Sequence, residues 1–167
     1  MKHRQALLFT LLSIVFAAGA GWRAPSLIIY NHSPSVPLGF YWLYRDGAQR
    51  PIARGDYVLF VPPPAVRELM LGRGWLGADQ FLLKPVAALA GDRVCVEEKR
   101  VWIGANSYPL RGTDSKGRTL PHSTYCGNLK AQELFVLSPI ANSFDSRYYG
   151  PLRVRDVIAR AAPLWTS

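Results

Sequence analysis

The chain has 167 residues, 49% of them hydrophobic, which suits one domain with a hydrophobic core plus a short appendage and excludes a disordered chain. Its 13 prolines and 14 glycines argue against a helical bundle and favour short strands joined by turns. The net charge of +9 comes from scattered cations without a basic run or a nucleic-acid-binding motif, so we expect no nucleic-acid partner and interpret the charge as a basic face beside anionic lipid.

The amino terminus has the pattern of an export signal. Residues 2–4 are Lys, His and Arg, and the stretch from Ala6 to Trp22 contains no charged residue. It is at the short limit for a transmembrane helix, and Ala18–Ala20 also resembles the cleavage site of a signal peptide. The positive-inside rule predicts that everything after Arg23 is exported. We therefore divide the chain into a signal or anchor segment at 1–25 and an exported domain at 26–167. A retained anchor is favoured, because it would hold the following loop close to the membrane.

That loop is the first candidate for chemistry. Residues 33–41 read Ser-Pro-Ser-Val-Pro-Leu-Gly-Phe-Tyr, which places Ser33 and Ser35 on backbone constrained by two prolines. Such a loop is most often only a turn. A serine hydroxyl becomes a nucleophile when a base accepts its proton, so a partner base has to be sought elsewhere in the chain.

The body of the chain predicts a mostly β domain. The aromatic run 40–44 is a strand followed by a turn at residues 45–47, and the segment 65–71 is a short helix begun by proline. Residues 111–121 form a polar loop. The remaining predicted strands are 56–61, 81–89, 93–97, 101–103 and 134–137.

Lys84 is the unusual cation of this chain, since it lies inside the apolar run 81–89. Burial favours the neutral amine, and a neutral lysine can act as a general base near pH 7. A lysine that points from its strand to solvent is the simpler interpretation. His32 and His122 are alternative bases that the sequence does not exclude.

Cys95 and Cys126 are the two cysteines of the chain. They are too few and too far apart for a zinc site, and they are either a disulfide or two small core residues. The export signal favours the disulfide, because exported proteins meet an oxidising compartment.

The segment 142–151 reads Asn-Ser-Phe-Asp-Ser-Arg-Tyr-Tyr-Gly-Pro. Asp145 and Arg147 are two positions apart, so on extended backbone both side chains leave the same face. By themselves they indicate either a buried ion pair or a solvated turn.

Taken together, these segments resemble the bacterial signal-peptidase family. In that family a serine follows a membrane anchor, a lysine lies on a strand before a Gly-Asp pair, and a Ser-x-Asp-Ser-Arg box comes late in the chain. The matching segments here are Ser35, Lys84 with Gly91–Val94, the box at Ser143–Gly150, and a Gly-Asp-x-Val segment at Gly55–Val58. The resemblance covers nearly the whole chain and implies a bent antiparallel β-sheet domain with one N-terminal membrane helix or signal sequence.

Within that family the chain resembles the TraF-type conjugative transfer peptidases more closely. Leader peptidases carry methionine after the nucleophile, whereas this chain has Val36 and continues Pro-Leu-Gly-Phe-Tyr-Trp. The small size and the Ser-Phe-Asp-Ser-Arg-Tyr-Tyr-Gly-Pro segment fit the same group. This resemblance implies a role in maturing a conjugative pilin subunit, by cleavage and in some members by joining its ends into a ring.

The resemblance also implies roles for individual residues. Ser35 would be the nucleophile and Lys84 its general base, with Ser33 supplying a second oxyanion donor beside the Ser35 backbone N–H. Ser143 would orient the lysine amine. Asp145 and Arg147 would form a supporting salt bridge. No metal or organic cofactor is expected.

The partners expected are an exported pilin-like substrate, inner-membrane lipid and components of a conjugation or type IV secretion apparatus, with the catalytic domain in the periplasm. One alternative is a general leader peptidase that removes signal peptides from many exported proteins. Another is a non-catalytic assembly factor of the same apparatus. The sequence does not distinguish hydrolysis from ring closure.

Overall fold

A computed structural model describes residues 28–44 and 51–167 of the chain. Within these ranges the strands are β1 (Ile28–Asn31), β2 (Gly39–Tyr44), β3 (Tyr57–Phe60), β4 (Leu82–Leu89), β5 (Arg93–Val96), β6 (Arg100–Ile103), β7 (Asn106–Pro109), β8 (Cys126–Asn128), β9 (Glu133–Val136), β10 (Leu152–Arg153) and β11 (Val157–Thr166). The helices are α1 (Pro64–Gly72), α2 (Ser146–Tyr149) and a 3₁₀ turn at Val154–Asp156. The mostly β prediction is confirmed.

The strands form two antiparallel sheets. The larger sheet has the order β1-β2-β11-β3-β4-β9-β10, and the smaller has the order β7-β6-β5-β8. Chain neighbours supply most of the pairs, as with β1 and β2 or β5 and β6. The sheets adjoin where β4 turns into β5 at Ala90–Asp92, between the two strands predicted at 81–89 and 93–97.

The predicted strands and the predicted helix agree with the structure to within one residue at each end. β2 shows why the pattern was readable: its residues alternate strictly between buried and exposed, with Tyr41 and Leu43 in the core. α1 begins at Pro64, whose missing N–H costs nothing in the first helical turn, and it buries Met70 against the large sheet.

The longest strand was missed by the sequence analysis. β11 has ten residues and lies between β2 and β3 at the centre of the large sheet, although it comes last in the chain. Its pairing with β2 shifts register between Pro163 and Trp165, which accommodates a proline that has no N–H for the ladder. Pro163 and Arg160 obscured the apolar alternation of this segment.

Cys95 on β5 lies directly opposite Cys126 on β8, and the two form a disulfide with their Cα atoms 3.9 Å apart. The pairing that the sequence left open is thus a crosslink within the small sheet. Adjacent strands bring the two residues together at a spacing well inside the limit of about 7 Å for bridging.

Two earlier predictions lie outside the described residues: the N-terminal segment at 1–25, and the turn at residues 45–47. In residues 28–44 and 51–167 neither helix has the length and apolar character needed to cross a bilayer.

Candidate active site

Ser35 lies in the tight loop between β1 and β2, and the side chain of Asn31 organises this loop. Asn31 Nδ2 donates to the carbonyls of Ser33, Val36 and Pro37 at 2.8, 3.2 and 3.0 Å. Its Oδ1 accepts the Ser33 N–H at 3.2 Å. One buried amide side chain therefore satisfies four backbone groups of a loop that has no β-sheet hydrogen bonds. These four bonds hold the loop in place although it is not part of a strand.

The end of the loop requires glycine. Gly39 has φ +137°, and a Cβ at this position would lie 2.1 Å from the Trp165 carbonyl oxygen of β11. Tyr41 closes the same turn by donating its hydroxyl to the Pro37 carbonyl at 2.9 Å. The Ser-x-Pro-x-Gly pattern thus encodes a close approach between this loop and the last strand.

Lys84 of β4 reaches this loop from the interior of the sheet. Its Nζ lies 2.5 Å from Ser35 Oγ and hydrogen-bonds it. Both residues are buried, with 4% of Lys84 and 8% of Ser35 exposed. The simpler interpretation of Lys84 as a solvent-facing strand residue is wrong.

The position of Lys84 in its strand explains its lowered pKa. Val58 of β3 lies directly opposite Lys84, and Leu82 and Val86 are its neighbours on the same face of β4. Burial among these side chains lowers the pKa of Lys84 to about 8. The nearby Asp145 carboxylate favours the ammonium form and raises the pKa, but its effect is smaller than that of burial. The positive charge of Arg147 lowers the pKa further.

Ser33 and Ser143 both line the cleft that contains Ser35 and Lys84. Ser33 Oγ is 3.0 Å from Ser35 Oγ. Ser143 is 3% exposed, yet its Oγ has no hydrogen-bond partner among the described residues, so the expected contact with the lysine amine is not formed. Its hydroxyl is thus a buried donor without a partner among the described residues, on a residue that lines the cleft.

Asp145 and Arg147 form a fully buried ion pair. Arg147 Nε donates to Asp145 Oδ1 at 2.8 Å and Nη2 donates to Oδ2 at 2.7 Å, a bidentate arrangement. Arg147 Nη1 donates to the Pro109 carbonyl at 3.2 Å, and Nη2 also donates to the carbonyls of Ser138 and Ile140, each at 3.1 Å. Of the two interpretations of this segment, the structure shows the buried pair.

Two residues of the site were missed by the sequence analysis. Asn31 had a readable signal, because Asn before a Ser-Pro pair is typical of a turn closed by its own side chain. Ser138 follows β9 and donates its hydroxyl to the Ser35 carbonyl oxygen, a contact between residues 103 positions apart. Nothing in the local sequence indicates that contact.

A cleft of about 490 Å³ opens beside Ser35 and Lys84. Its walls are mainly apolar, with Met70, Trp75, Leu76 and Phe144 extending it away from the two residues. Leu82–Lys84 pair with β3 along one edge, and within the described chain β9 joins β4 only from Val86 onward. The other edge of this segment therefore offers backbone groups to the cleft.

This arrangement places a buried hydroxyl beside a candidate base. Among the described residues, the side chains that hydrogen-bond Ser35 Oγ are those of Lys84 and Ser33. His32 and His122, the alternative bases, are both exposed at the surface. An amine with a pKa of about 8 is partly neutral at pH 7 and can accept a proton from a hydroxyl 2.5 Å away.

The chain is similar to known proteins over its full length. It is 36% identical over 184 aligned residues to the conjugal transfer protein TraF of Agrobacterium tumefaciens, covering 99% of this chain and 98% of that protein. It is 31% identical to a plasmid transfer protein TraF of Escherichia coli, with 92% and 89% covered. A signal peptidase I from Enterococcus faecalis aligns with a TM-score of 0.40 and 21% identity over 66% of this chain and 97% of that one, a likeness too low to carry an argument.

The family model described as signal peptidase, peptidase S26, matches residues 1–165. That match extends over nearly the entire sequence and includes both Ser35 and Lys84. The resemblance drawn from the motifs is therefore confirmed, and the chain belongs to the peptidase S26 family of signal peptidases.

Proposed function

We propose that this protein is a membrane-associated serine endopeptidase in which Ser35 is the nucleophile and Lys84 the general base. The observation that carries the proposal is the buried 2.5 Å contact between Lys84 Nζ and Ser35 Oγ. A surface lysine would remain charged and would be a poor base. The apolar surroundings of Lys84 are what keep a usable fraction of its amine neutral.

The proposed reaction follows from this geometry. Neutral Lys84 accepts the hydroxyl proton while Ser35 Oγ attacks a substrate carbonyl carbon, and the carbonyl oxygen becomes an oxyanion. The Ser35 backbone N–H and the Ser33 hydroxyl would donate to that oxygen, and one such donor contributes about 3–4 kcal/mol to the transition state. The C–N bond then breaks, Lys84 returns the proton to the leaving amine, and an ester on Ser35 remains.

The edge of Leu82–Lys84 that β9 does not pair with lines the cleft beside the candidate base, and this edge supports the following binding mode. An extended substrate segment would add to this edge as a strand, with main-chain hydrogen bonds supplying affinity. The apolar walls of the cleft suit uncharged side chains of such a segment.

The acyl-enzyme ester has two fates. Attack by water gives hydrolysis, and attack by the amino terminus of the same substrate gives a ring. Effective molarities of about 10⁵ M or more are available to a well-placed intramolecular nucleophile, so ring closure needs geometry and no additional catalytic residue. Because its relatives are conjugal transfer proteins, we take a conjugative pilin precursor as the substrate.

We place the catalytic domain on the periplasmic side of the inner membrane. Three observations support this: the uncharged stretch from Ala6 to Trp22, the disulfide, and an exposed apolar patch on β1, β2 and the end of β11. The patch comprises Ile28, Tyr30, Phe40, Trp42, Leu164 and Trp165. It begins where the chain leaves the predicted anchor, as a surface resting on lipid would.

The mass of the pilin precursor is the test. A strain lacking the protein is complemented with the wild type, with Ser35→Ala, or with Ser107→Ala, a control on the small sheet. Wild type and control should yield the cleaved pilin, lighter by one further water if its ends are joined, whereas Ser35→Ala should leave the precursor intact. Processing of many exported proteins would indicate the general leader peptidase. Normal processing by Ser35→Ala would contradict the enzymatic proposal and favour the assembly factor.

A further inference from the structure

We infer that Ser138 is a positioning residue that aligns Ser35 for attack, an inference that rests on the proposed function of Ser35. Ser138 is fully buried and lies two residues after the end of β9. Its hydroxyl donates to the backbone carbonyl of Ser35 and accepts the Ile140 N–H at 3.1 Å. Both capacities of this hydroxyl are thus committed, one of them to the nucleophile's own backbone.

The buried ion pair holds Ser138 from both sides of its backbone. The Ser138 N–H donates to Asp145 Oδ2 at 3.0 Å, and its carbonyl accepts from Arg147 Nη2 at 3.1 Å. Asp145 and Arg147, which bind each other, therefore also hold the two peptide groups on either side of Ser138. Charge-assisted hydrogen bonds of this kind are shorter and stronger than neutral ones, so Ser138 has little freedom to move.

Through Ser138, the ion pair acts on the nucleophile without touching it. The contacts of Asn31 and Tyr41 hold the loop on either side of Ser35 but not the Ser35 carbonyl. The Ser138 hydroxyl supplies that missing restraint from a different part of the chain. With the Ser35–Val36 peptide fixed, the direction in which Oγ leaves the backbone is set toward Lys84.

Ser138→Ala is the test, since it removes one oxygen and keeps the backbone contacts with Asp145 and Arg147. Ser146→Ala is the matched control: Ser146 is equally buried and its Oγ accepts the Val136 N–H at 3.2 Å, as Ser138 accepts that of Ile140. We would measure cleavage of the purified pilin precursor by each full-length variant, with kcat and KM resolved and the pH profile recorded.

Ser138→Ala should lower kcat about tenfold to a hundredfold, because small misplacements of a reacting group have effects of this size. Its KM should be unchanged, since Ser138 is fully buried and does not line the cleft, and the midpoint of its pH profile should match that of the wild type, since Lys84 keeps its apolar surroundings. Ser146→Ala should keep the wild-type kcat. If thermal melts show that Ser138→Ala does not fold, Ser138→Cys replaces it. We expect its kcat to lie between that of the wild type and the hundredfold loss given above.

Wild-type kcat in Ser138→Ala or Ser138→Cys, with Ser35→Ala inactive, would overturn this inference and leave the proposed function standing. An equal loss in Ser146→Ala would attribute the effect to general packing and would also overturn it. Full activity in Ser35→Ala would remove the proposed function itself, and the inference with it.

Discussion

Lys84 Nζ and Ser35 Oγ are 2.5 Å apart although 49 positions separate the two residues in the chain. The serine is held by a loop that Asn31 organises, and the lysine is held by the central strand pairing of β3 with β4. The two residues meet in apolar surroundings that lower the pKa of Lys84, and a neutral Lys84 amine makes the Ser35 hydroxyl a better nucleophile by accepting its proton.

Lys84→Arg should abolish processing although it preserves a positive charge. A guanidinium stays protonated at accessible pH and cannot accept the Ser35 proton. Pilin mass in a complemented strain is the measurement, and Lys99→Arg, at an exposed position, is the matched control. Substantial activity in the Lys84 variant would mean that another group is the base.

Processing should become faster as the pH rises through about 8, because the reactive form of Lys84 is the neutral amine and its pKa is about 8. Only about one tenth of the molecules carry the neutral amine at pH 7, whereas most carry it at pH 9. The measurement is kcat/KM of the purified enzyme between pH 6 and 9.5. A profile that is flat across this range would contradict the assignment.

Lys84→Met should stabilise the protein near neutral pH while inactivating it. The folded-state pKa is about 8 and the ordinary value is 10.5, so between these pH values the unfolded chain binds more protons and the stability of the wild type rises with pH. Below pH 8 the wild type bears the full cost of burying the charge, on the order of 3 kcal/mol. The advantage of Lys84→Met in denaturant unfolding should therefore shrink from pH 7 to 10.5. Lys130→Met, at an exposed position, controls for losing a charge.

Asp145→Ala should lower stability and activity together. It leaves Arg147 buried without its partner, which costs about 3–5 kcal/mol, and it removes the acceptor of the Ser138 N–H. Ser35→Ala should lower activity alone. Thermal melts beside a processing assay distinguish the two, and an Asp145 variant that is stable but inactive would show that Asp145 assists Lys84 directly.

Removing the disulfide should destabilise the fold more than it impairs the chemistry. Cys95 and Cys126 are 31 positions apart, and a crosslink closing a loop of this size contributes about 3–4 kcal/mol in the chain-entropy model. The bridge lies in the small sheet, whereas Lys84 lies on β4 of the large one. The double variant Cys95→Ser, Cys126→Ser should have a lower melting temperature. At temperatures below its melting transition it should keep most of the wild-type kcat. A wild-type melting temperature would contradict this.

The sequence by itself determined the elements whose signals are local. Strands such as β2 and β4 were predicted because alternation and apolar runs depend on neighbouring residues, and Ser35 and Lys84 stood out because proline-bound serine and a lysine in an apolar run are locally unusual. The family resemblance then combined them, since several weak motifs in a fixed order are specific together. No single segment indicated chemistry.

Only the tertiary structure decided what these residues contact. β11 was overlooked because Arg160 and Pro163 interrupt its apolar alternation. Its partners β2 and β3 lie about a hundred residues or more earlier in the chain, so no neighbouring segment indicates the pairing either. The same holds for Ser138, whose hydroxyl meets the Ser35 carbonyl across 103 positions, and for Ser143, whose expected contact with the amine is not formed. Local patterns report propensity and burial, whereas the direction of a side chain toward a partner is set by sheet order and register, which the whole chain determines at once.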